Sequence, residues 1–223
     1  MEQTLYYPIL DKGFIRVRLI DQNIVPHYII ENQFSRMFSG YRLIHKDLLI
    51  VKDALSYLMA NNYEENVIVS QSLSFMIIIT YGKCFAKAEG RKIKLEKESA
   101  LKNLTLEEIN IHDELILLRN QYVAHGGISK FETNPVVVTR TILTDGEYGY
   151  LVHDSCVYMS VLSQNLVMIN NFLIKIIAFV DQKIDSSFTN LMKFVVTKMP
   201  EKEFESNSFI PDYKKLIKLK DII

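Results

Sequence analysis

The 223-residue chain has no tryptophan, only two cysteines and no excess of charge of either sign. Its 26 lysines and arginines balance 26 aspartates and glutamates, which argues against a globally basic nucleic-acid-binding protein but leaves room for a local basic patch. Cys84 and Cys156 lie far apart in apolar segments and lack CxxC spacing. We interpret them as buried free thiols in a reducing compartment, which predicts a cytoplasmic protein.

Motifs of several enzyme classes are missing as well. The chain contains no GxxxxGK(S/T) or GxGxxG phosphate loop, no HExxH zinc motif and no GxSxG nucleophile elbow. A di-iron bundle needs Glu-x-x-His on two helices, and the nearest approach, Glu108 to His112, is one residue too long. The histidines show no zinc-ligand spacing and stand at His27, His45, His112, His125 and His153. We therefore expect neither a metal ion nor a cofactor.

A secretory leader and a membrane span are also not expected. The first residues, MEQTLYYPILDKG, lack a basic segment followed by an apolar run. Two stretches without charge, Asn66 to Gly82 and Ser155 to Ile174, contain Ser, Gln or Asn at several positions. We interpret both as buried bundle helices, the alternative being a membrane-associated helical protein.

Hydrophobic periodicity predicts the first two helices. Apolar residues at alternating steps of three and four form one stripe from Phe34 to Leu58. The sequence Asn62-Tyr63-Glu64-Glu65 is a capping-box variant and predicts the start of a second helix that ends near Lys87. Its middle, LSFMIIITYG, is apolar almost all round, so we expect it to be the most buried helix. Residues 88–104 are charged and irregular, with a short helix predicted around Leu95 to Leu101.

Two further long helices are predicted. Thr105-Leu106-Glu107-Glu108 is a capping box that opens the third helix, and Gly126-Gly127 ends it, since glycine accepts the left-handed conformation of a helix C-terminus. The core stripe of this helix consists of Ile111, Leu115, Leu118 and Tyr122. Another stripe, from Leu162 to Phe194, predicts a last helix that begins near Val157.

The remaining segments indicate a small amount of β-structure. β-Branched and aromatic residues on both sides of Asp145-Gly146 predict a β-hairpin over Val136 to His153, and FIRVRLI, Phe14 to Ile20, predicts a short strand. We expect a mobile C-terminal tail with a short amphipathic helix from Asp212. The sequence thus predicts an all-α antiparallel bundle of four to five main helices with an inserted β-hairpin. The predicted organisation is an extension at 1–33, the bundle at 34–199 with the hairpin at 136–153, and a tail at 200–223.

One connection carries a local excess of positive charge. Between Lys83 and Lys102, seven basic residues stand against three acidic ones, a local net charge of +4. This segment is either a solvated connection or a surface that faces phosphate groups. In the second interpretation the substrate-binding residues are Lys83, Lys87, Arg91 and Lys92.

The stretch LRNQYVAHGG, Leu118 to Gly127, is the most informative in the chain. Near the end of an apolar helix it carries Arg119, Asn120 and His125, with Ala directly before the histidine and two glycines after it. No other arginine in the chain is followed by a histidine five to seven positions later. The alternative is structural: a packing histidine at a helix end beside an exposed arginine.

At these residues the chain resembles the HEPN superfamily, helical-bundle proteins of bacterial toxin–antitoxin, abortive-infection and other RNA-targeting systems. The signature of that superfamily is Arg, a polar residue and then His near the end of a late bundle helix, and it maps onto Arg119, Asn120 and His125. The pattern LRN-x-x-x-AH is similar to the abortive-infection branch. The resemblance covers the bundle, roughly 34–199. One toxin branch has a Tyr two residues after the His that a partner nucleotidyltransferase modifies, and here that position is Gly127.

This resemblance implies an HEPN-like fold and a metal-independent endoribonuclease, a toxin or anti-phage effector with an antitoxin or other defence-system partner. RNA supplies its own nucleophile, the 2′-hydroxyl, so the protein needs a proton acceptor and a cation on the phosphate. His125 and Arg119 are residue types suited to these roles,, and Asn120 is suited to orient either group. On a regular helix positions 119 and 125 are about 120° apart. The resemblance therefore also implies a site built from two chains of a homodimer.

Two other classes of function remain open at this point. The chain is either a ribonuclease or a non-catalytic helical module that binds RNA or protein, such as an antitoxin-like or scaffold subunit. The third class is the membrane-associated helical protein. Cleavage of RNA, and its loss in the His125→Ala variant, separates the first class from the second.

Overall fold

The computed structural model describes most of the chain. The described residues are 5–9, 13–17, 19–20, 23–61, 66–87, 89, 91–123, 136–142, 148–154, 162, 166–199, 205 and 208–218. They divide into two compact units, one of Met1–Ser35 with Phe188–Ile223 and one of Arg36–Ser187. Within the described part the protein is mostly helical with small antiparallel strand pairs, as the sequence predicts at this level.

The larger unit is built from α-helices around one apolar core. The helices are α1 (Gln33–Ala60), α2 (Val67–Phe85), α3 (Lys97–Ala100), α4 (Leu106–Leu117) and α5 (Leu166–Lys198), of which α1 and α5 continue past the limits of this unit. Their largest fully buried side chains include Ile44, Leu55, Ile77, Tyr81 and Phe172. These residues come from α1, α2 and α5, so three helices contribute the centre of the core.

The predicted apolar stripes agree with the buried faces of the helices. On α1, Ile44, Leu48 and Leu55 are completely buried, and the helix starts where Asn32 Oδ1 accepts a 2.9 Å hydrogen bond from the Ser35 amide. This cap satisfies one of the amides that a helix start leaves without a partner. On α5, Leu173, Ile176 and Val180 lie in the core. The described helix begins at Leu166, and the predicted start near Val157 lies outside the described residues.

The start of α2 corrects one sequence prediction. The cap is Asn66, four residues after the predicted Asn62, and its Oδ1 accepts a 3.1 Å hydrogen bond from the Val69 amide. The predicted capping box of Asn62 and Glu65 lies outside the described residues. Both positions satisfy the preference for Asn at a helix start, and the helix begins at the one that directly precedes the apolar run. Among the described helices, only α2 is long and apolar enough to cross a membrane. In its most apolar 18-residue stretch, 39% of the residues are buried inside the protein.

The hairpin lies where the sequence predicts it. Strands β5 (Val136–Ile142) and β6 (Tyr148–Asp154) pair antiparallel, with Val136 opposite Asp154 and Ile142 opposite Tyr148. The side chains from Val138 to Ile142 are exposed. The turn residues 143–147, including Asp145-Gly146, lie outside the described residues.

The smaller unit contains the two ends of the chain. Its first strand, β1 (Leu5–Ile9), pairs antiparallel with β2 (Gly13–Val17) and with β7 (Ile217–Lys218). Two short strands, β3 (Leu19–Ile20) and β4 (Asn23–Ile24), form a separate pair. The predicted strand from Phe14 to Ile20 is thus divided between β2 and β3.

Residues 208–218 of the predicted mobile tail are packed, which corrects the prediction for this described part. The backbones of His27 and Phe209 exchange two hydrogen bonds of 2.7 and 2.8 Å, and the Phe209 ring lies 5.8 Å from the ring of Tyr7. Pro211 is fully buried. In place of the predicted helix from Asp212 there is one short 3₁₀-helix, Tyr213–Lys215, followed by β7. Burial of Pro211, partial burial of Phe209 and pairing with β1 hold residues 208–218 in place.

Candidate functional site

The helix that carries the Arg119 motif changes its geometry at the motif. α4 begins with the predicted capping box, in which Thr105 Oγ1 accepts from the Glu108 amide at 3.3 Å and Glu108 Oε2 accepts from the Thr105 amide at 3.0 Å. From Leu118 to Val123 the helix is a π-helix, whose hydrogen bonds span one residue more than those of an α-helix. Such turns are frequent at functional sites. The angle of about 120° between positions 119 and 125 assumes a regular α-helix and does not apply here.

Arg119 is held against α2 by its side-chain stem. A Cβ atom added at Gly82 would lie 2.9 Å from Arg119 Cγ and 3.1 Å from Cδ, so glycine at this position leaves the space that the arginine fills. Arg119 Nη1 donates a 2.8 Å hydrogen bond to Asn120 Oδ1. Because a guanidinium can only donate, the carboxamide atom that faces it is the oxygen, and the Asn120 amino group remains as a donor. The two side chains therefore form a group of hydrogen-bond donors.

A cavity of about 300 Å³ opens beside this pair. It lies among the end of α2, the segment that leads into α3, and one face of α4 and its π-helical continuation. On this face His112, Ile116 and Arg119 follow at steps of four and three. The full lining consists of Gly82, Phe85, Ala86, Lys94, Leu95, Glu96, Lys97, Glu98, His112, Ile116, Arg119 and Asn120. Arg119 and Asn120 are thus part of a concave surface and not an isolated helix end.

His112, a histidine without zinc-ligand spacing in the sequence, lies in the wall of this cavity. His112 is 3% exposed, its Nδ1 is 2.7 Å from the Tyr81 hydroxyl, and its ring lies edge-on to Phe85 with centroids 4.5 Å apart. Burial lowers the pKa of His112 to about 4, and burial also raises the pKa of Tyr81 well above its usual value. The imidazole is therefore neutral at neutral pH. A sequence signal existed, because positions seven apart lie within about 20° on an α-helix, which places His112 and Arg119 on one face.

The lowered pKa of His112 predicts a loss of stability in acid. An unfolded chain, with its histidine pKa near 6.5, binds this proton more tightly than the folded protein does. The contribution to stability is therefore present above about pH 6.5 and is lost as the pH falls towards 4. Between pH 7 and pH 4.5 we expect the titration of His112 to lower the free energy of unfolding by roughly 2 kcal/mol. Urea denaturation at the two pH values measures this change.

The control for this prediction is a double variant, Tyr81→Phe with His112→Phe. Replacing both hydrogen-bonded partners by apolar groups of similar shape leaves no unsatisfied buried polar atom. Over the same pH range, the free energy of unfolding of the double variant should fall by roughly 2 kcal/mol less than that of the wild type. Equal losses in the two proteins would show that His112 is not the titrating group.

Two of the four predicted substrate-binding residues meet at one carboxylate. Asp47 on α1 forms ion pairs with Lys83, at 3.2 Å, and with Arg91. The Arg91 side chain is 6% exposed, and its Nη1 also donates to the Lys83 carbonyl at 3.4 Å. Lys87 and Lys92 are exposed. The structure thus brings Lys83 and Arg91 together in an intramolecular ion-pair cluster and leaves Lys87 and Lys92 accessible to a ligand.

The segment between α2 and α3 is more closely packed than a solvated connection. The Leu95 amide donates to the Cys84 carbonyl at 2.9 Å, and Leu95 is 2% exposed. A Cβ atom at Gly40 of α1 would lie 2.4 Å from Ile93 Cγ1. Arg91, Ile93 and Leu95 thus attach this segment to α1 and α2. The predicted short helix from Leu95 to Leu101 is α3.

Cys84 and the acidic and histidine side chains were the other candidates for a chemical role. Burial raises the pKa of Cys84 to about 12, so its thiol is not a nucleophile. Among the described residues no group of three or more His, Cys, Asp or Glu side chains could hold a metal ion. Cys156, His125, Gly126 and Gly127 lie outside the described residues. The proximity of His125 to Arg119 therefore stays a prediction.

Comparisons with protein-family models, with curated proteins and with solved structures found no match to this chain. The sequence motif and the cavity around Arg119 are therefore the two features of the molecule that bear on function.

Proposed function

We propose that the protein is a metal-independent endoribonuclease with an HEPN-like bundle. The observation that carries the proposal is the donor pair of Arg119 and Asn120, which lies in the wall of a cavity at a π-helical turn. His125 follows Arg119 by six residues. Among the described residues no carboxylate lies within 4.0 Å of the Arg119 guanidinium, so its charge is not neutralised by an ion pair there.

The chemistry follows from these residue types. The 2′-hydroxyl of a ribonucleotide attacks the adjacent phosphorus, His125 takes the hydroxyl proton, and the bond from phosphorus to the 5′-oxygen breaks. The leaving 5′-oxygen receives a proton from water, and protonated His125 returns its proton to the solvent. The products are a 2′,3′-cyclic phosphate and a 5′-hydroxyl. Arg119 binds the phosphate oxygens as negative charge develops, through parallel hydrogen bonds of a group that does not deprotonate. Asn120 orients Arg119 and adds a donor of its own.

The direct test is incubation of the purified protein with single-stranded RNA in excess EDTA. The proposal predicts cleavage that is unchanged when Mg²⁺ is supplied. Intact RNA under both conditions, with the protein folded and at micromolar concentration, would support the second candidate instead.

The second candidate is a non-catalytic module that binds RNA or protein. It is favoured by the ion pairs at the cavity, since Lys94 pairs with Glu96 at 3.3 Å and Lys97 pairs with Asp113. It is also favoured by the neutral, buried state of His112. Neither candidate requires a membrane, and we propose a cytoplasmic location with a role in a toxin–antitoxin or anti-phage system and an antitoxin or other defence-system protein as partner.

We also propose that the active species is a symmetric homodimer in which Arg119 and His125 of two subunits approach each other across the two-fold axis. A mixing experiment tests this arrangement. Arg119→Ala and His125→Ala are each inactive alone, but a heterodimer of the two variants retains one intact composite site. Mixing should therefore restore up to about half of the wild-type rate per heterodimer, because one of its two sites is complete. No restored activity after confirmed subunit exchange, or a monomer by light scattering, would contradict the composite site.

The exposed lysines are proposed to bind the RNA backbone beyond the cavity. Substituting Lys87 and Lys92 by Gln should make the plot of log affinity against log salt less steep by about one to two units, since each phosphate contact on single strands contributes about 0.7. Arg91→Gln should instead lower the melting temperature, because it leaves Asp47 without its buried partner. An unchanged salt slope in the lysine variant would remove these residues from the interface.

A further inference from the structure

Beyond the donor pair, the cavity has an apolar and aromatic part. Phe85, Ala86, Leu95 and Ile116 contribute apolar surface, and His112 adds a flat imidazole ring. The volume of about 300 Å³ is at the small end of the range for ligand pockets. A cavity of this size has room for one ring system but not for a duplex. Proteins recognise unpaired RNA by taking single bases onto aromatic side chains and contacting their edges. The size and lining of this cavity fit one such base.

The lining of the cavity contains three cationic side chains. Of the three cations in the lining, Lys94 and Lys97 pair with carboxylates, and only Arg119 has no acidic partner among the described residues. Glu98, which is exposed and lines the cavity, disfavours a second phosphate. A single phosphate is therefore favoured at Arg119.

The Tyr81–His112 pair supplies a fixed polar contact in the apolar part. The Tyr81 hydroxyl engages His112 Nδ1 at 2.7 Å, so the nitrogen that remains for a ligand is Nε2. Contacts with Phe85 and Tyr81 hold the ring in one orientation. Because the hydrogen bond at Nδ1 determines which nitrogen carries the proton, Nε2 is either a fixed donor or a fixed acceptor. A fixed group of this kind discriminates between base edges.

We propose that the cavity binds the base of an unpaired ribonucleotide whose 3′-phosphate is held by Arg119 and Asn120, with Phe85 and His112 against the base. This inference rests on the proposed function, since the bound nucleotide is the one on the 5′ side of the cleaved bond. It adds that the protein cleaves unpaired RNA after a preferred base. A base inside a duplex does not reach the cavity, because its edges and faces are occupied by pairing and stacking.

Binding of the four ribonucleoside 3′-monophosphates and of inorganic phosphate, measured by calorimetry on the full chain, tests the proposal without any need for catalysis. At least one nucleotide should bind about tenfold or more tightly than inorganic phosphate, as expected for one stacked base. Ala86→Leu, which enlarges a side chain of the cavity wall, should remove this advantage and leave phosphate binding unchanged. Ala60→Leu, at an exposed position at the end of α1, is the matched control and should behave as the wild type.

A second variant keeps the test valid if Ala86→Leu does not fold. Tyr81→Phe removes the group that orients His112 and should weaken nucleotide binding several-fold without changing phosphate binding. Equal affinity for phosphate and for all four nucleotides, or nucleotide binding that Ala86→Leu leaves intact, would overturn the base site. RNA cleavage with equal rates on single strands and duplexes would also count against it. A nucleotide that binds as expected to a protein that leaves RNA intact would refute the proposed function alone.

Discussion

The His125→Ala variant should cleave RNA about 10²–10⁴ times more slowly than the wild type, because that is the usual contribution of a positioned proton-transfer group. RNA binding should change far less than turnover, since Arg119, Asn120 and the lysines remain. Initial rates at saturating RNA and separate binding titrations distinguish the two effects.

His153→Ala is the control for this variant, since it removes a histidine that the proposal does not use. Its cleavage rate should equal that of the wild type, and both variants should melt close to the wild-type temperature. If His125→Ala melts many degrees lower and still cleaves RNA, then His125 serves only to fill the end of the core.

Substitution of Arg119 by lysine should also remove most of the activity, by about 10²–10³-fold, the usual effect of losing a group that stabilises transition-state charge. The charge is kept, but an ammonium cannot reproduce the planar fork that binds two phosphate oxygens. The change also weakens the contact that orients Asn120, which now receives its 2.8 Å hydrogen bond from Arg119 Nη1.

The matched control is Arg42→Lys, at an exposed arginine on α1. It should leave cleavage within twofold of the wild type, since surface substitutions of this kind have small effects (about 0.5 kcal/mol or less). A fully active Arg119→Lys variant would mean that only the charge at position 119 matters, and it would argue against a bidentate role.

The features that sequence predicts well here are local ones. The stripe on α1, the capping box of Thr105 and Glu108, and the paired strands β5 and β6 each depend on residues close together in the chain. Apolar residues spaced three and four apart identify the helix, alternation every two residues identifies the strands, and a four-residue motif identifies the capping box. None of these requires knowledge of the fold. The contact between Arg119 and Asn120 is also local, because the two residues are adjacent, and their role in a site stays a prediction.

The features that sequence misses depend on contacts between distant positions. Tyr81 and His112 are 31 residues apart, and Arg91 and Asp47 are 44 residues apart. Strand β7 pairs with β1 at the other end of the chain. No periodicity reports such contacts, so the sequence shows His112 only as a histidine without metal-ligand spacing and presents Arg91 as a substrate ligand. The burial of these groups becomes visible only when the helices are packed together.

The most direct test of the central claim uses two RNA oligonucleotides that differ in one atom. One is all-ribose, and the other has a single 2′-deoxynucleotide immediately 5′ of the cleaved bond. In excess EDTA the wild-type protein should cleave the first and leave a 2′,3′-cyclic phosphate, and it should not cleave the second at that bond. Equal cleavage of both oligonucleotides would show that the 2′-hydroxyl is not the nucleophile and would contradict the proposed mechanism.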